Sequence, residues 1–283
     1  MGDVRDIVRD KYGEIANTKS TCCGPATPCC EASRQAENMS MGIGYSVKEV
    51  ESVPDDANLG LGCGNPTALA SLKEGEVVLD LGSGGGLDCF LAAQKVGKEG
   101  KVIGVDMTPE MVSLARKNAA KGNYTNVEFR LGETENLPVA DSTIDIIISN
   151  CVINLSPYKR RVFQEVYRVL KPGGRFMISD IVLLKPLPDF IRESIHAYVG
   201  CVAGALLKDD YISAITSAGF ENVNVIEEKS STFMLETCDP LVKPIIDKFN
   251  PSPEQVKEIS GSIVSITVEG KKHEGVHVLG QDN

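Results

Sequence analysis

The spacing of apolar and polar positions changes several times along the chain. Val4, Ile7, Val8 and Tyr12 recur at helical spacing, which predicts a short amphipathic helix over 3–16. Residues 17–33, with TKSTCCGPATPCC, combine small residues, two prolines and no period, and read as a mobile loop. A second, polar helix is expected over 31–40, and GIGYSVKEVESVPDDANLGLGCGNP reads as a helix followed by a glycine-rich loop. From Pro66 the pattern becomes regular. A helix over Pro66 to Leu72 precedes the strand EVVLDLG, a glycine-rich turn, the helix LDCFLAAQKVG and the strand KVIGVDM. Thr108-Pro109 is a helix-start signal, and that helix runs through Ala120. VEFRLG is a third strand, and DIIISNC a fourth that is too continuously apolar to alternate, as expected where both faces are buried. Ser156-Pro157 opens a helix that stops at KPGG, and RFMISDIVL is the fifth strand. Residues 186–219 read as mainly helical, with NVNVIEE and SIVSITVEG as closing strands.

Strands alternating with helices imply a parallel sheet covered on both faces. The expected fold is α/β, a doubly wound, mostly parallel, Rossmann-like sheet with a Cys-rich N-terminal segment and a C-terminal α+β addition. The divisions fall at 1–40, 41–225 and 226–283. Composition agrees: of 283 residues, 42% are hydrophobic and 24% charged, which excludes a disordered or low-complexity chain. The 29 basic and 39 acidic residues give a net charge of −10, which repels phosphate backbones and anionic lipid, so no nucleic-acid or membrane partner is expected. No apolar run is long enough to span a bilayer, and MGDVRDIVRD lacks the apolar stretch of a secretion signal, so a cytoplasmic location is expected.

The turn Asp80-Leu81-Gly82-Ser83-Gly84-Gly85-Gly86 follows a strand and opens a helix. Glycines there let backbone approach a ligand closely. The dinucleotide fingerprint is not met, because its last glycine falls where Leu87 stands. An acid beside the turn suits a ligand carrying an amino group or a sulfonium better than a pyrophosphate. Asp106 ends the next strand, where a carboxylate can accept from both ribose hydroxyls. Together with Met107 after it, these residues resemble the S-adenosylmethionine site of class I methyltransferases. That resemblance puts Asp80, Gly82, Ser83, Gly84 and Gly85 at the methionine end, Glu133 in Leu131-Gly132-Glu133 at the adenine side, and Asn150 near the methionine. Ligands in such sheets bind at the switch in strand order, here between the first and fourth strands, so the glycine turn and Asn150-Cys151 should face one crevice.

Cysteine carries the remaining chemistry. There are nine, an odd number, and a disulfide framework is not expected in a reducing compartment. Cys63 in GLGCGNP, Cys151 in SNCVINL and Cys201 in YVGCVAGAL are far apart and lack the paired spacing of zinc modules. Thiolates prefer soft centres. Three of them around a trivalent atom with a lone pair form a pyramid whose lone pair points away from sulfur. If it faced a sulfonium methyl, displacement would need no general base, only positioning. Trivalent arsenic fits this chemistry. Cys89, on a helix in DCFLAA, reads as core packing, His196 as packing or surface, and Cys238 has no motif.

The segments NLGLGCGNP, VLDLGSGGGLDCFLAA, GVDMTPEM, FRLGETENLP, ISNCVINLSP, VLKPGG and YVGCVAGAL resemble the arsenite S-adenosylmethyltransferases from about residue 40 to 225. The resemblance implies an enzyme that methylates arsenite and then methylarsenite. It implies Cys63, Cys151 and Cys201 as ligands of the trivalent arsenic substrate. It also implies a redox relay between Cys63 and an N-terminal cysteine. Cys22, Cys23, Cys29 and Cys30 are the candidates, with Cys29 or Cys30 nearest the family position. Methylation oxidises arsenic formally, two thiols return the electrons as a disulfide, and thioredoxin or a glutathione-type reductant resets the pair. Two other readings stand beside this one. The chain could methylate a small organic acceptor such as a quinone precursor, although no acid–base group for that is visible. Or it could bind soft metals through its thiols without catalysis.

Overall fold

The computed structural model describes residues 3–18, 32–230 and 252–274. Seven strands form one sheet in the order β3-β2-β1-β4-β5-β7-β6. The strands are β1 (Val77–Leu81), β2 (Lys101–Asp106), β3 (Val127–Leu131), β4 (Ile144–Asn150), β5 (Leu170–Leu183), β6 (Glu221–Ser230) and β7 (Ile263–Lys271). β1 pairs in parallel with β2 and β4, which places the switch in strand order between β1 and β4, as expected. β2–β3 and β4–β5 are also parallel, and β7 runs antiparallel to both β5 and β6.

Helices cover both faces. α5 (Leu87–Val96) and α6 (Pro109–Lys121) pack one face through Val78, Phe90, Val102, Val112, Ile146 and Ile148. α7 (Lys159–Val169) and α10 (Lys208–Ser217) pack the other through Leu79, Ile147, Phe163, Val166, Tyr211 and Ile215. The consecutive isoleucines of β4 therefore divide between two cores. Each fully buried side chain of this size contributes about 1.5–3 kcal/mol.

Before the sheet come α1 (Val4–Thr18), α2 (Ala32–Gly42), α3 (Val47–Glu51), a 3-10 turn at Asp55–Ala57 and α4 (Pro66–Leu69). α3 starts on a reciprocal cap: Ser46 Oγ accepts from the Glu49 N–H, and Glu49 accepts from the Ser46 N–H.

Several boundaries differ from the sequence expectation for local reasons. α4 ends at Leu69, short of Leu72. Ser156-Pro157 follows a 3-10 turn (Ile153–Leu155), and α7 begins only at Lys159. KPGG lies inside the long β5, not in a loop, with a register shift where it meets β4. The run 189–199 is two short helices, α8 (Asp189–Arg192) and α9 (Ile195–Val199). The expected boundary at 225–226 falls inside β6. Beyond it, α11 (Pro253–Ser262) leads into β7, which inserts between β5 and β6. The second half of β6 and all of β7 thus belong to the central sheet. Periodicity marks a strand but not its partners, so this insertion was invisible in the sequence.

Candidate functional site

The carboxyl edges of β1, β2 and β4 open into a cleft lined by Asp80, Asp106 and Asn150 from the ends of these strands. The glycine turn forms its floor. Gly82, Gly84 and Gly86 have φ of +67°, +50° and +100°, a region open to glycine at no steric cost. A Cβ on Gly82 would also lie 2.2 Å from Val152. Asp80, Gly82, Ser83, Gly84, Gly85, Asp106, Met107 and Asn150 all line this cleft, as the sequence reading expected of a shared crevice. Asp106 is fixed by backbone donors: the N–H groups of Gly84 and Thr108 each reach one of its oxygens at 2.9 Å. Thr108 opens α6 without a side-chain cap, and its own N–H goes to Asp106.

The cleft is strongly acidic at this end. Burial, and then the neighbouring Asp88 charge, push the Asp80 carboxyl well above its ordinary range. Burial also raises Asp88 and Asp106. Cys89, buried in the core as expected, donates its thiol proton to Asp80 at 3.2 Å. Asp88 receives Tyr45 Oη–H at 2.8 Å and Thr67 Oγ–H at 3.2 Å.

Glu133, expected at the adenine side, does not itself line the cleft. Its carboxylate pairs with Arg5 at 2.9 Å and Arg9 at 3.2 Å on α1, and Gly132, Thr134 and Glu135 line the cleft beside it. Two arginines one helical turn apart reach the same carboxylate, so Glu133 tethers α1 across the opening. Val8 of α1 is fully buried and lines the cleft with Tyr12, whose hydroxyl donates to the Val199 carbonyl at 3.3 Å.

Asn150 is committed to a structural task as well as to the lining. Its Oδ1 accepts from the Cys63 N–H at 2.9 Å and the Gly64 N–H at 3.3 Å, while Nδ2 donates to the Gly64 carbonyl at 2.7 Å. It clips the GCG loop onto the end of β4. The glycines on either side of Cys63 permit this approach: a Cβ on Gly62 would lie 2.6 Å from Asn150 Nδ2, and one on Gly64 would lie 2.7 Å from Ser179. From the other side, Ser265 of β7 donates to the Cys63 carbonyl at 2.8 Å. The C-terminal strand, which showed no readable chemistry in the sequence, therefore helps to position Cys63.

Cys63, Cys151 and Cys201 converge. All three are buried free thiols in one apolar cluster. Cys201 Sγ donates to the Cys151 carbonyl at 3.0 Å. The Cys63 and Cys201 side chains both make hydrogen-bonding contact with the Cys151 thiol, which together with burial pushes Cys151 well above the ordinary thiol range. Burial raises Cys63 as well. Cys151 is the member of the trio that lines the cleft. Cys151 and Cys201 have left-handed backbone, with φ of 59° and 62°. A non-glycine residue held there costs on the order of 1–3 kcal/mol and persists where surroundings over-determine it.

Beneath the thiols lies a group that sequence reasoning missed. Asp180 on β5 has an oxygen within 4.8 Å of both the Cys63 and Cys151 sulfurs. It is fully buried, and burial raises its pKa to about 7 despite donors from Ile181 N–H, Asn154 Nδ2, Tyr211 Oη and the nearby Lys159 charge. Its signal was a single acid in an otherwise apolar strand, RFMISDIVL. The expected redox cysteines Cys29 and Cys30, like Cys22, Cys23 and Cys238, lie outside the described residues.

A family model described as a methyltransferase domain matches residues 72–258. An arsenite methyltransferase of Halobacterium salinarum is 46% identical over 95% of this chain and 67% of its own length. The chain belongs to the arsenite methyltransferase family. A second arsenite methyltransferase, from Aquipseudomonas alcaligenes, is 36% identical over 80% of this chain and 64% of its own length, so the chain spans about two thirds of the curated relatives it matches. The crystal structure of an arsenic(III) S-adenosylmethionine methyltransferase from Chlamydomonas reinhardtii superposes with a TM-score of 0.62 at 33% identity, covering 85% of this chain and 74% of that one. Of the three thiols, Cys151 shares the cleft lining with the glycine turn. Among the described residues no helix is long and apolar enough to cross a membrane.

Proposed function

We propose that this chain transfers methyl groups from S-adenosylmethionine to trivalent arsenic held by Cys63, Cys151 and Cys201. The observation that carries the reading is the meeting of three sequence-distant thiols in one buried cluster beside a methyltransferase cleft. The cleft fits the cofactor on chemical grounds. Asp80 and Asp88 line it as acceptors for an ammonium, Asp106 is aimed by two backbone N–H groups, and Ser83 Oγ is buried without a partner among the described residues. The cofactor supplies an electrophilic methyl group.

The protein's part is positioning and exclusion of water. Cys63 and Cys151 are protonated in the free protein because burial and, at Cys151, contact with the neighbouring thiols oppose charge. Binding trivalent arsenic therefore displaces their protons. Three sulfurs on one side leave the arsenic lone pair on the other, and with Cys151 on the cleft wall that side is the cofactor's. No histidine or other base is required, which distinguishes this reading from methylation of a quinone precursor. After transfer, a cysteine of the 22–30 run pairs with Cys63, the two thiols returning two electrons to arsenic as a disulfide, and thioredoxin or a glutathione-type thiol reduces that disulfide. Four buried free cysteines among the described residues suit a reducing, cytoplasmic setting.

The test is mass-resolved analysis of arsenic products from the purified chain with S-adenosylmethionine, arsenite and a dithiol. Methylated arsenic that appears only with all three present is the expected result. Turnover of the cofactor with a phenolic acceptor but not with arsenite would overturn the reading. Absence of any turnover alongside tight arsenite binding would mark a thiol trap.

A further inference from the structure

Three buried side-chain atoms lack a hydrogen-bond partner among the described residues: Asn58 Nδ2, Ser83 Oγ and Asn154 Oδ1. Asn58 and Ser83 line the cleft and are 8% and 7% exposed. Leaving such a group unpaired costs about 1–3 kcal/mol, so a side chain locked in that state points to a partner that arrives later.

Asn58 is locked. The Gly60 N–H reaches its Oδ1 at 3.0 Å, and an N–H can only donate. That contact assigns the amide oxygen and leaves Nδ2 as the buried, unpartnered group. Ser40 Oγ–H holds the same oxygen at 2.8 Å. Both donor hydrogens of Nδ2 are then free to bind an acceptor. The backbone before Asn58 rests on the glycine turn: a Cβ on Gly85 would lie 2.8 Å from the Ala57 carbonyl oxygen. Asn58 thus stands beside the turn that carries Ser83.

Resting on the S-adenosylmethionine reading above, we infer that Asn58 is a cofactor-binding residue whose Nδ2, together with Ser83 Oγ, receives the α-carboxylate of the methionine moiety. The cofactor's acceptors are its ribose, its adenine and this carboxylate. The ribose hydroxyls have Asp106. The buried acids Asp80, Asp88 and Asp106 in the same lining offer the carboxylate no positive charge. Among the described lining residues Arg5 is the one cation, and its guanidinium is already engaged by Asp3 and Glu133. Neutral donors are what remain, and hydrogen bonds from neutral donors to a charged acceptor are strong in a desolvated cleft.

Isothermal titration of the full chain with two probes tests this. S-adenosylhomocysteine carries the carboxylate, and 5′-methylthioadenosine lacks the whole amino-acid end. Asn58→Asp keeps the oxygen that Gly60 and Ser40 hold and places an anion where the donor was; Asn58→Leu removes the amide. Both are expected to weaken S-adenosylhomocysteine by about tenfold or more while leaving methylthioadenosine within twofold of wild type. Equal weakening of both probes would assign Asn58 to loop support and overturn the inference, as would unchanged affinity for S-adenosylhomocysteine. Failure of the wild-type chain to bind either probe would overturn the cofactor reading itself, and this inference with it.

Discussion

Cys151→Ser should abolish arsenic methylation while leaving S-adenosylhomocysteine affinity close to wild type. Cys151 contacts both other thiols and is the one on the cleft wall, so it ties the substrate's ligands to the cofactor's side. A serine hydroxyl is hard, remains protonated at neutral pH and is a poor ligand for a soft centre. Loss of a supporting partner alone typically costs about 10–100-fold in metal-site affinity or activity, so loss of the ligand should cost about 100-fold or more. The glycine turn and Asp106 do not depend on the thiol, so cofactor titration should be unchanged. The check is product formation and cofactor titration on one preparation. Methylation at the wild-type rate would remove Cys151 from the chemistry.

Asp180→Asn should flatten the pH dependence of stability. The folded carboxyl titrates at about 7, against an ordinary value of 3.8. The folded state therefore holds a proton that the unfolded state releases between those values. This stability is complete below the unfolded pKa and is lost as pH rises through the folded one. At 1.36 kcal/mol per unit, the wild-type chain should lose on the order of 3 kcal/mol between pH 5 and pH 8 from this group. Asparagine mimics the protonated carboxyl, keeping an oxygen for the Ile181 N–H and Asn154 Nδ2. Asp80, Asp88 and Asp106 are raised too and slope the same way. The informative quantity is thus the difference between wild type and variant, from urea unfolding of the arsenic-free proteins at pH 5, 6.5 and 8. The curves should converge at low pH and separate at high pH, with the variant more stable. Parallel curves would show that Asp180 is ionised in the folded protein.

Much of this site was legible because chemistry and backbone requirement coincide at single positions. Asp80 with Gly82, Ser83 and Gly84, then Asp106 at the next strand end, mark a cleft because strands of a parallel sheet open at one edge. The thiols were legible through their sequence contexts, and the glycines around Cys63 turn out to serve contact with Asn150 and Ser179. What stayed hidden depends on distant pairing. Ser265 reaches Cys63 only because β7 inserts beside β5, across 202 positions of sequence. Glu133 was assigned by position, yet Arg5 and Arg9 claim it from a helix more than a hundred residues earlier. Asp180 carries no motif, and Asn58 opens NLGLGCGNP with no sign of a role of its own. One is defined by the apolar shell that raises its pKa, the other by a donor left without an acceptor.

The central claim is that Cys63, Cys151 and Cys201 together hold the substrate, and arsenic X-ray absorption reads this directly. The sample is the full chain with Cys22, Cys23, Cys29, Cys30 and Cys238 each changed to serine, loaded with one equivalent of arsenite. Three sulfur neighbours are expected, falling to two sulfurs and one lighter atom when Cys201→Ser is added. An arsenic shell without sulfur in the five-serine chain, or three sulfurs persisting after Cys201→Ser, would contradict the account.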